Sequence, residues 1–343
     1  MEKKNYLYLA PSKLRTASVG PEVCLDASFE DVSGTVRVER AGDVVWTEEI
    51  STGEANMSHS LSNLEQHHFK YPQHRRPGDV HVHYFGADAF SFGAGVALEE
   101  ERYLDAARKN ASFLLEHMRA EDGRLMRTRR EGVTHLAGYL PDHAFVTEGL
   151  LDLYEATLEV DWLAAAIDLA DLTDAHFHDD ENGGWFKTAH DHENLLVRFS
   201  TATESSLPSG TGVAAMNSAR LGLLTGDPER INRARSAMKR HGQAFAAYPT
   251  AFCQFLVLHD FLESKPAELY FVGSKSDPVL MAELERWRKF WPPYRVLTLI
   301  EEGEQERLAG LIPATEGKVA IDGKPTLYIC HEGICEAPEV LSE

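Results

Sequence analysis

Residues 140–158, LPDHAFVTEGLLDLYEATL, constrain the fold more than any other stretch, because they have the pattern of an amphipathic α-helix. At about 100° of rotation per residue, the acidic side chains Glu148, Asp152 and Glu155 share one arc, and the apolar side chains cover the opposite one. The apolar arc consists of Val146, Leu150, Leu151, Leu153, Tyr154 and Leu158. A helix of this kind has to bury its apolar face, so we expect it to pack sideways against other helices.

The start of this helix carries unusual polar residues. Pro141 costs no hydrogen bond in a first turn, and the carboxylate of Asp142 can accept from free N–H groups there. His143 and Thr147, however, fall on the apolar arc. Two interpretations stay open for His143: a core histidine whose ring nitrogens are satisfied, or a histidine that faces a pocket.

Length and charge exclude several functional classes. The chain has 343 residues, enough for two cores, and its formal net charge of −20 argues against binding to nucleic acid or anionic membranes. The first residues, MEKKNYLYLAPSK, lack the pattern of a secretory signal, and four cysteines fit a reducing compartment, so we expect a cytoplasmic location. Cys330 and Cys335 flank HEGI and could be redox partners or metal ligands, although the spacing is not that of a zinc finger.

Three regions follow from the pattern along the chain. Residues 1–98 read as a β-rich segment, with a hairpin predicted from the alternating residues 34–39 and 43–48. Residues 99–265 are predicted to be helical, and long polar loops lie at 123–140 and 183–210. Besides the helix of residues 140–158, the predicted helices are 99–118, 161–177, 212–225, 228–246 and 250–262. Residues 266–343 alternate strands and helices, which predicts a small α/β tail.

Helix pairs joined in this way are typical of an α/α toroid, in which the loops on one side collect the binding residues. The predicted fold class is therefore mainly α: a partial α/α toroid of helical hairpins, with a small α/β C-terminal appendix and a β-rich N-terminal segment. No nucleotide or other cofactor is predicted, because Gly273 and Gly310 do not form a phosphate-binding motif. Three hairpins leave apolar helix faces uncovered, so we expect self-association as a homodimer.

Histidines are concentrated before residue 98. His81 and His83 alternate along a predicted strand and point the same way, whereas His67 and His68 are adjacent and diverge. The remaining histidines of this segment are His59 and His74. We predict no metal site from these residues.

Residues 5–98 contain the runs NYLYLAPSKLR, ASVGPE, GEANMSHSLSNLEQHHFKYPQHRRPGDVHVHYFG and SFGAGV. This segment resembles the C-terminal part of fumarylacetoacetate-hydrolase-like enzymes of the GguC and arabonate-pathway branch. The resemblance implies a fold that binds a divalent metal through upstream carboxylates and acts on 2-oxo acids, with Lys13 as the substrate-contacting lysine. The resemblance therefore gives the alternative function, a 2-oxo sugar-acid hydratase or lyase. The acidic metal-binding motifs of that family correspond to positions before Asn5.

Residues 99–343 contain ERYLDAARKNASFLLEHMRAEDGRLMRT, YLPDHAFVTEGLLDLYEAT, ENGGWFKTAHDHENLLVR, SLPSGTGVAAMNSARLGLLTGD and the ending TLYICHEGICEAPE. They resemble the helical region of spermatogenesis-associated, thioredoxin-domain-containing proteins, which is YyaL-like. That region looks like the six-hairpin toroids of N-acylglucosamine 2-epimerases and glycosidases, so the resemblance implies a pocket for a sugar or sugar acid. Each resemblance covers only part of the length of the proteins in that family. We therefore expect weak binding and slow or absent turnover.

Sugar chemistry of the epimerase or glycosidase type needs a general acid and a general base on opposite sides of a pocket. The predicted catalytic residues are Asp142, His143, His192 and Glu193, and the predicted substrate-binding residues are Tyr139, Trp185 and Arg198, together with Lys13. Asp191, Glu204 and Phe186 are further candidates. The alternative is structural: an acidic loop is usually solvated, and a tryptophan after two glycines commonly anchors a loop. Ser209 lacks the flanks of a nucleophile, and we interpret it as a helix cap.

Overall fold

The computed structural model describes residues 28–40, 42–57, 59–70, 75, 77–78, 101–193, 196–204, 207–289 and 294–342. Contacts between residues divide the chain into two compact units, Met1–Glu99 and Glu100–Glu343. The described residues are mainly helical with small sheets, which confirms the predicted mainly α fold class. Within this part of the chain, no helix has both the length and the apolar character needed to cross a lipid bilayer.

The first unit contains the predicted hairpin. Strands β1 (Val32–Arg40) and β2 (Asp43–Thr52) pair antiparallel, and a 3-10 turn (Glu54–Asn56) leads to helix α1 (Leu61–Phe69). Gly53 has a φ of +98°, and a Cβ there would lie 2.8 Å from the carbonyl oxygen of Glu30. The chain therefore needs glycine at this turn.

The histidine-rich stretch is only partly described. His67 and His68 lie in the last turn of α1, and His59 lies before it. His74, His81 and His83 lie outside the described residues, as does Lys13. Within the described part of the chain, His59, His67 and His68 do not belong to any group of three side chains that could hold a metal ion.

The second unit begins with helices joined by two long loops. They are α2 (Glu101–His117), α3 (Leu140–Thr157), α4 (Val160–Phe177), α5 (Gly210–Thr225), α6 (Pro228–Arg240), α7 (Gly242–Ala247) and α8 (Cys253–Glu263). The helix predicted over 228–246 is interrupted at His241, whose φ of −95° and ψ of 7° are not helical. The closure of these helices into a toroid stays a prediction.

The first of the two long loops differs locally from its prediction. The first loop forms an unpredicted hairpin, in which β3 (Met126–Arg130) and β4 (Val133–Ala137) pair antiparallel. Its turn residues, Glu131 and Gly132, both have positive φ values, of 53° and 84°. The described part of the second loop is extended, with an isolated bridge between His178 and Trp185.

Helix α3 is the centre of the helical packing. As predicted, its apolar arc is buried together with His143 and Thr147, apart from the partly buried Val146, and it packs against α4 and α5. Pro141 occupies the first turn, and the helix ends at Leu158, which is left-handed with a φ of 58°. The predicted cap of α5 is also confirmed, because the Ser209 hydroxyl accepts from the Gly212 N–H at 3.0 Å.

The tail forms a mixed sheet in the order β6-β5-β7-β8, with β9 paired to β7. Its strands are β5 (Ala267–Val272), β6 (Arg295–Ile300), β7 (Thr326–His331), β8 (Ile334–Cys335) and β9 (Glu339–Val340), and its helices are α9 (Pro278–Lys289) and α10 (Gln305–Leu311). Side chains of β5 alternate: Leu269 and Phe271 pack with α9, whereas Tyr270 and Val272 pack with α10 and with α3 to α5. The tail therefore shares a core with the helical hairpins.

Cys330 and Cys335 are opposite each other in β7 and β8 and form a disulfide. The sulfur atoms are therefore bonded to each other and are not free to ligate a metal in this state. Cys330 is buried, and Cys335 is exposed.

Candidate functional site

The two long loops of the second unit lie side by side. The Arg124 guanidinium, in the first loop, donates two hydrogen bonds to the carboxylate of Asp191, in the second, at 2.7 and 2.9 Å. The Leu140 N–H donates to the carbonyl oxygen of Lys187 at 3.0 Å. We call this region the loop junction, and it consists of Arg124, Arg127, Tyr139, His176, His190, Asp191 and His192.

Two helix N-termini reach the loop junction. Helix α3 begins directly after Tyr139, and α5 begins at Gly210. Gly210 approaches the first turn of α3 so closely that a Cβ there would lie 2.8 Å from the Cγ of Pro141. Helix N-termini carry free N–H groups and a positive potential, so this end of the helices favours anions.

His143 belongs to the core below the junction. It is fully buried, its Nδ1 lies 3.1 Å from the Tyr139 carbonyl oxygen, and its Nε2 accepts from the Leu125 N–H at 3.1 Å. Burial lowers the pKa of His143, and a neutral imidazole has one donor and one acceptor, which these two bonds use. Of the two interpretations, the structure therefore favours the satisfied core histidine over the predicted catalytic one.

Asp142 acts on the backbone of its own helix. Its Oδ2 accepts from the Tyr139 N–H at 2.8 Å, so the carboxylate holds the first turn of α3. Glu193, also predicted as catalytic, is exposed in the second loop. Glu204 bonds to another helix: its Oε1 accepts from the Gln254 N–H at the start of α8.

Trp185 and Arg198 anchor the second loop from inside. Trp185 is 1% exposed, and its Nε1 donates to Asp174 at 2.9 Å, so its ring offers no free face to a ligand. Arg198 lies over the Phe186 ring at 4.0 Å and donates to the Thr188 carbonyl oxygen at 2.6 Å. The burial of the indole does not support stacking of a sugar on Trp185, and that role stays a prediction.

Tyr139 and His192 come together as predicted residues of the site. Their ring centroids are 5.4 Å apart, and the guanidinium of Arg127 lies 4.9 Å from the Tyr139 centroid. The Nδ1 of His192 is buried and has no hydrogen-bond partner in the structure. Three groups with ligand-binding chemistry thus converge next to the start of α3.

The sequence did not single out His176 and His190. Their rings stack with centroids 5.0 Å apart and an angle of 5° between the planes. One ligand atom each from His176, His190 and Asp191 lies within 4.8 Å of the other two. Burial lowers the pKa of His176, whereas the hydrogen bonds from Arg124 lower the pKa of Asp191. Their spacing in the sequence matches no motif, so only the path of the second loop reveals the cluster.

No protein-family model matches this chain. The chain is similar to spermatogenesis-associated protein 20 of Homo sapiens, with 28% identity over 254 residues, and to that of Rattus norvegicus, with 28% over 255 residues. An uncharacterized protein of Caenorhabditis elegans is 23% identical over 250 residues. These matches confirm the resemblance to the spermatogenesis-associated proteins. They cover 71% of this chain and 32 to 34% of each relative, so the chain spans about a third of their length.

Proposed function

We propose that this chain binds a small anionic carbohydrate, of the sugar-acid class, at the loop junction. The observation that carries the proposal is the convergence of two long loops at Tyr139, beside Arg127 and His192. Long loops are seldom idle connectors in a compact domain. Their junction is therefore the best-supported place for a ligand.

The chemistry of these groups suits a sugar acid. An aromatic ring offers an apolar surface to the C–H face of a sugar, and arginine pairs with a carboxylate through charge-assisted hydrogen bonds. The half-buried Tyr139 supplies the ring, and the exposed Arg127 supplies the guanidinium. The N-termini of α3 and α5 add positive potential on the same side.

We propose binding without efficient turnover. A glycosidase needs a free carboxylic acid and a free carboxylate about 5–10 Å apart. The Asp142 carboxylate caps α3, the Asp191 carboxylate is held by Arg124, and His143 is buried in backbone hydrogen bonds. The groups nearest to the junction thus have structural partners that a general acid or base would have to give up.

The alternative function, a 2-oxo sugar-acid hydratase or lyase, depends on Lys13 and on a metal. Lys13 lies outside the described residues, so this alternative stays a prediction. Stoichiometric Mg²⁺ or Mn²⁺ near Lys13 would support it.

Saturation-transfer NMR on the full chain tests the proposal with D-glucuronate and, for comparison, the neutral D-glucose. We expect transfer to glucuronate, with loss of it in Tyr139→Leu and in Arg127→Gln. The matched control is Arg130→Gln, because Arg130 lies in the same strand, is exposed and pairs with Glu131 at 3.6 Å. Equal signals for both sugars, or a signal that both site variants retain, would contradict the proposal.

A further inference from the structure

We propose that His176, His190 and Asp191 form a binding site for a divalent transition-metal ion of the zinc type. The proposal goes beyond sugar binding, because it needs no carbohydrate and uses different side-chain atoms. Its basis is that two imidazoles and one carboxylate bring ligand atoms within 4.8 Å of one another. Two nitrogen donors and one oxygen donor are a set that zinc accepts, with water in a fourth position.

The backbone holds the two histidines next to each other. His176 lies in the last turn of α4, and its carbonyl oxygen accepts from the His190 N–H at 2.9 Å. At the next residue of α4, the Phe177 carbonyl oxygen accepts from the Phe186 N–H at 2.8 Å. The buried Trp185 fixes the loop at this point through its bond to Asp174. The stacked arrangement of the rings is thus set by main-chain bonds and a buried anchor.

Polar groups of the cluster have capacity left for a metal. The Nδ1 of His176 is buried and has no hydrogen-bond partner in the structure, and a buried polar atom of this kind is costly unless something binds it. Asp191 receives one hydrogen bond on each carboxylate oxygen from Arg124. A carboxylate oxygen has two lone pairs, so the arginine leaves one on each. Outer hydrogen bonds of this type orient the ligands of metal sites.

The distances require a small closure. Ligand atoms around tetrahedral zinc are about 3.3 Å apart, given bonds of about 2.0–2.1 Å. His190 and Asp191 are exposed, so their side chains can move inward while the half-buried His176 stays in place. Imidazole donors favour zinc, cobalt and nickel over Mg²⁺ and Ca²⁺, which prefer oxygen ligands.

Isothermal titration of the untagged full chain with ZnCl₂ tests the site, and the absorption spectrum of Co²⁺ in place of zinc reports its coordination. We expect one ion per chain, and affinity weakened about tenfold or more in His190→Ala and in Asp191→Asn, since even outer-shell partners contribute about 10- to 100-fold. The control is His135→Ala, because His135 is an exposed histidine on β4 outside the cluster. Circular dichroism checks that each variant is folded.

The two ligand variants concern surface side chains, so loss of binding does not follow from unfolding. Binding that is equal in His190→Ala, Asp191→Asn and the parent protein would overturn the proposal. The proposal would also be overturned if the protein bound no ion more tightly than scattered surface histidines bind one. An octahedral spectrum of Co²⁺ would indicate that case. Neither result bears on glucuronate binding, so the two proposals fail separately.

Discussion

Replacement of His143 by alanine should lower the free energy of unfolding by about 3–7 kcal/mol near neutral pH. Removal of a fully buried ring leaves a cavity, which costs about 2–4 kcal/mol for side chains of this size. The Leu125 N–H, which now donates to Nε2 at 3.1 Å, then loses its acceptor inside the protein. An unpaired buried donor adds about 1–3 kcal/mol.

The loss should depend on pH in a way that only a buried neutral histidine explains. Burial lowers the pKa of His143 from its ordinary value of 6.5; the hydrogen bond to the Tyr139 carbonyl and the charge of Asp142 oppose this effect, and Arg124 and His176 add to it. In the unfolded chain the ring takes up a proton below about pH 6.5, whereas the folded chain resists protonation, so the parent loses stability as the pH falls. His143→Ala lacks this loss, so the difference between the two proteins should shrink by up to about 1.4 kcal/mol per pH unit below that value.

Urea unfolding followed by far-ultraviolet circular dichroism, at about pH 7.5 and at about pH 5.5, measures both effects. The control is His135→Ala, an exposed histidine that should change the free energy by less than about 0.5 kcal/mol. The histidines His176 and His241, whose pKa values are also lowered by burial, remain in every variant and set the shared background. A loss below about 1 kcal/mol, or a difference that stays constant between the two pH values, would falsify the assignment of His143 to the core.

Three further predictions concern the glycine turn, association and the unit boundary. Gly183→Ala should lower the melting temperature more than Gly132→Ala. Both glycines have positive φ, but only at position 183 would an added Cβ lie 2.9 Å from the Cβ of Ser236. Equal melting temperatures of the two variants in a thermal scan would show that this contact is relieved at no cost. The chain should self-associate at micromolar concentration through exposed helix faces. Phe113 is exposed on α2, so Phe113→Ser should lower the mean mass measured by light scattering. A parent protein that is monomeric at that concentration would refute the prediction of self-association. Limited proteolysis should cut within about ten residues of Leu98, and a resistant fragment that spans this position would contradict the predicted division into 1–98 and 99–265.

Most helices and strands could be predicted because their patterns are local. The apolar arc of α3, the alternation in β1 and β2, and the caps at Pro141 and Ser209 each involve residues within a few positions of one another. The hairpin of β3 and β4 was missed because its turn uses Glu131 and Gly132, and glutamate at positive φ is not a common turn residue. The break at His241 was missed because the apolar pattern continues across it.

The candidate site could be predicted only in part. The sequence located the two long loops and named Tyr139, Asp142 and His192, which do lie at the start of α3 or beside it. It assigned chemistry to His143 and Trp185, whose burial depends on how α4, α5 and the second loop pack around them. It overlooked Arg124, His176 and His190, since each looks like an ordinary polar residue in its own segment.

Side-chain periodicity along the chain specifies which segments form helices and strands and which faces are apolar, because it reflects the geometry of a single element. Which polar groups meet depends instead on how those elements pack. Arg124 and Asp191 are 67 residues apart, and their pairing requires the hairpin of the first loop and the path of the second to be fixed together. His143 shows the same dependence: the carbonyl of Tyr139 is one helical turn away, whereas the N–H of Leu125 reaches it only because the first loop folds back over α3. Contacts of this kind have no local signature, since loop closure brings together residues whose neighbours along the chain do not specify a partner.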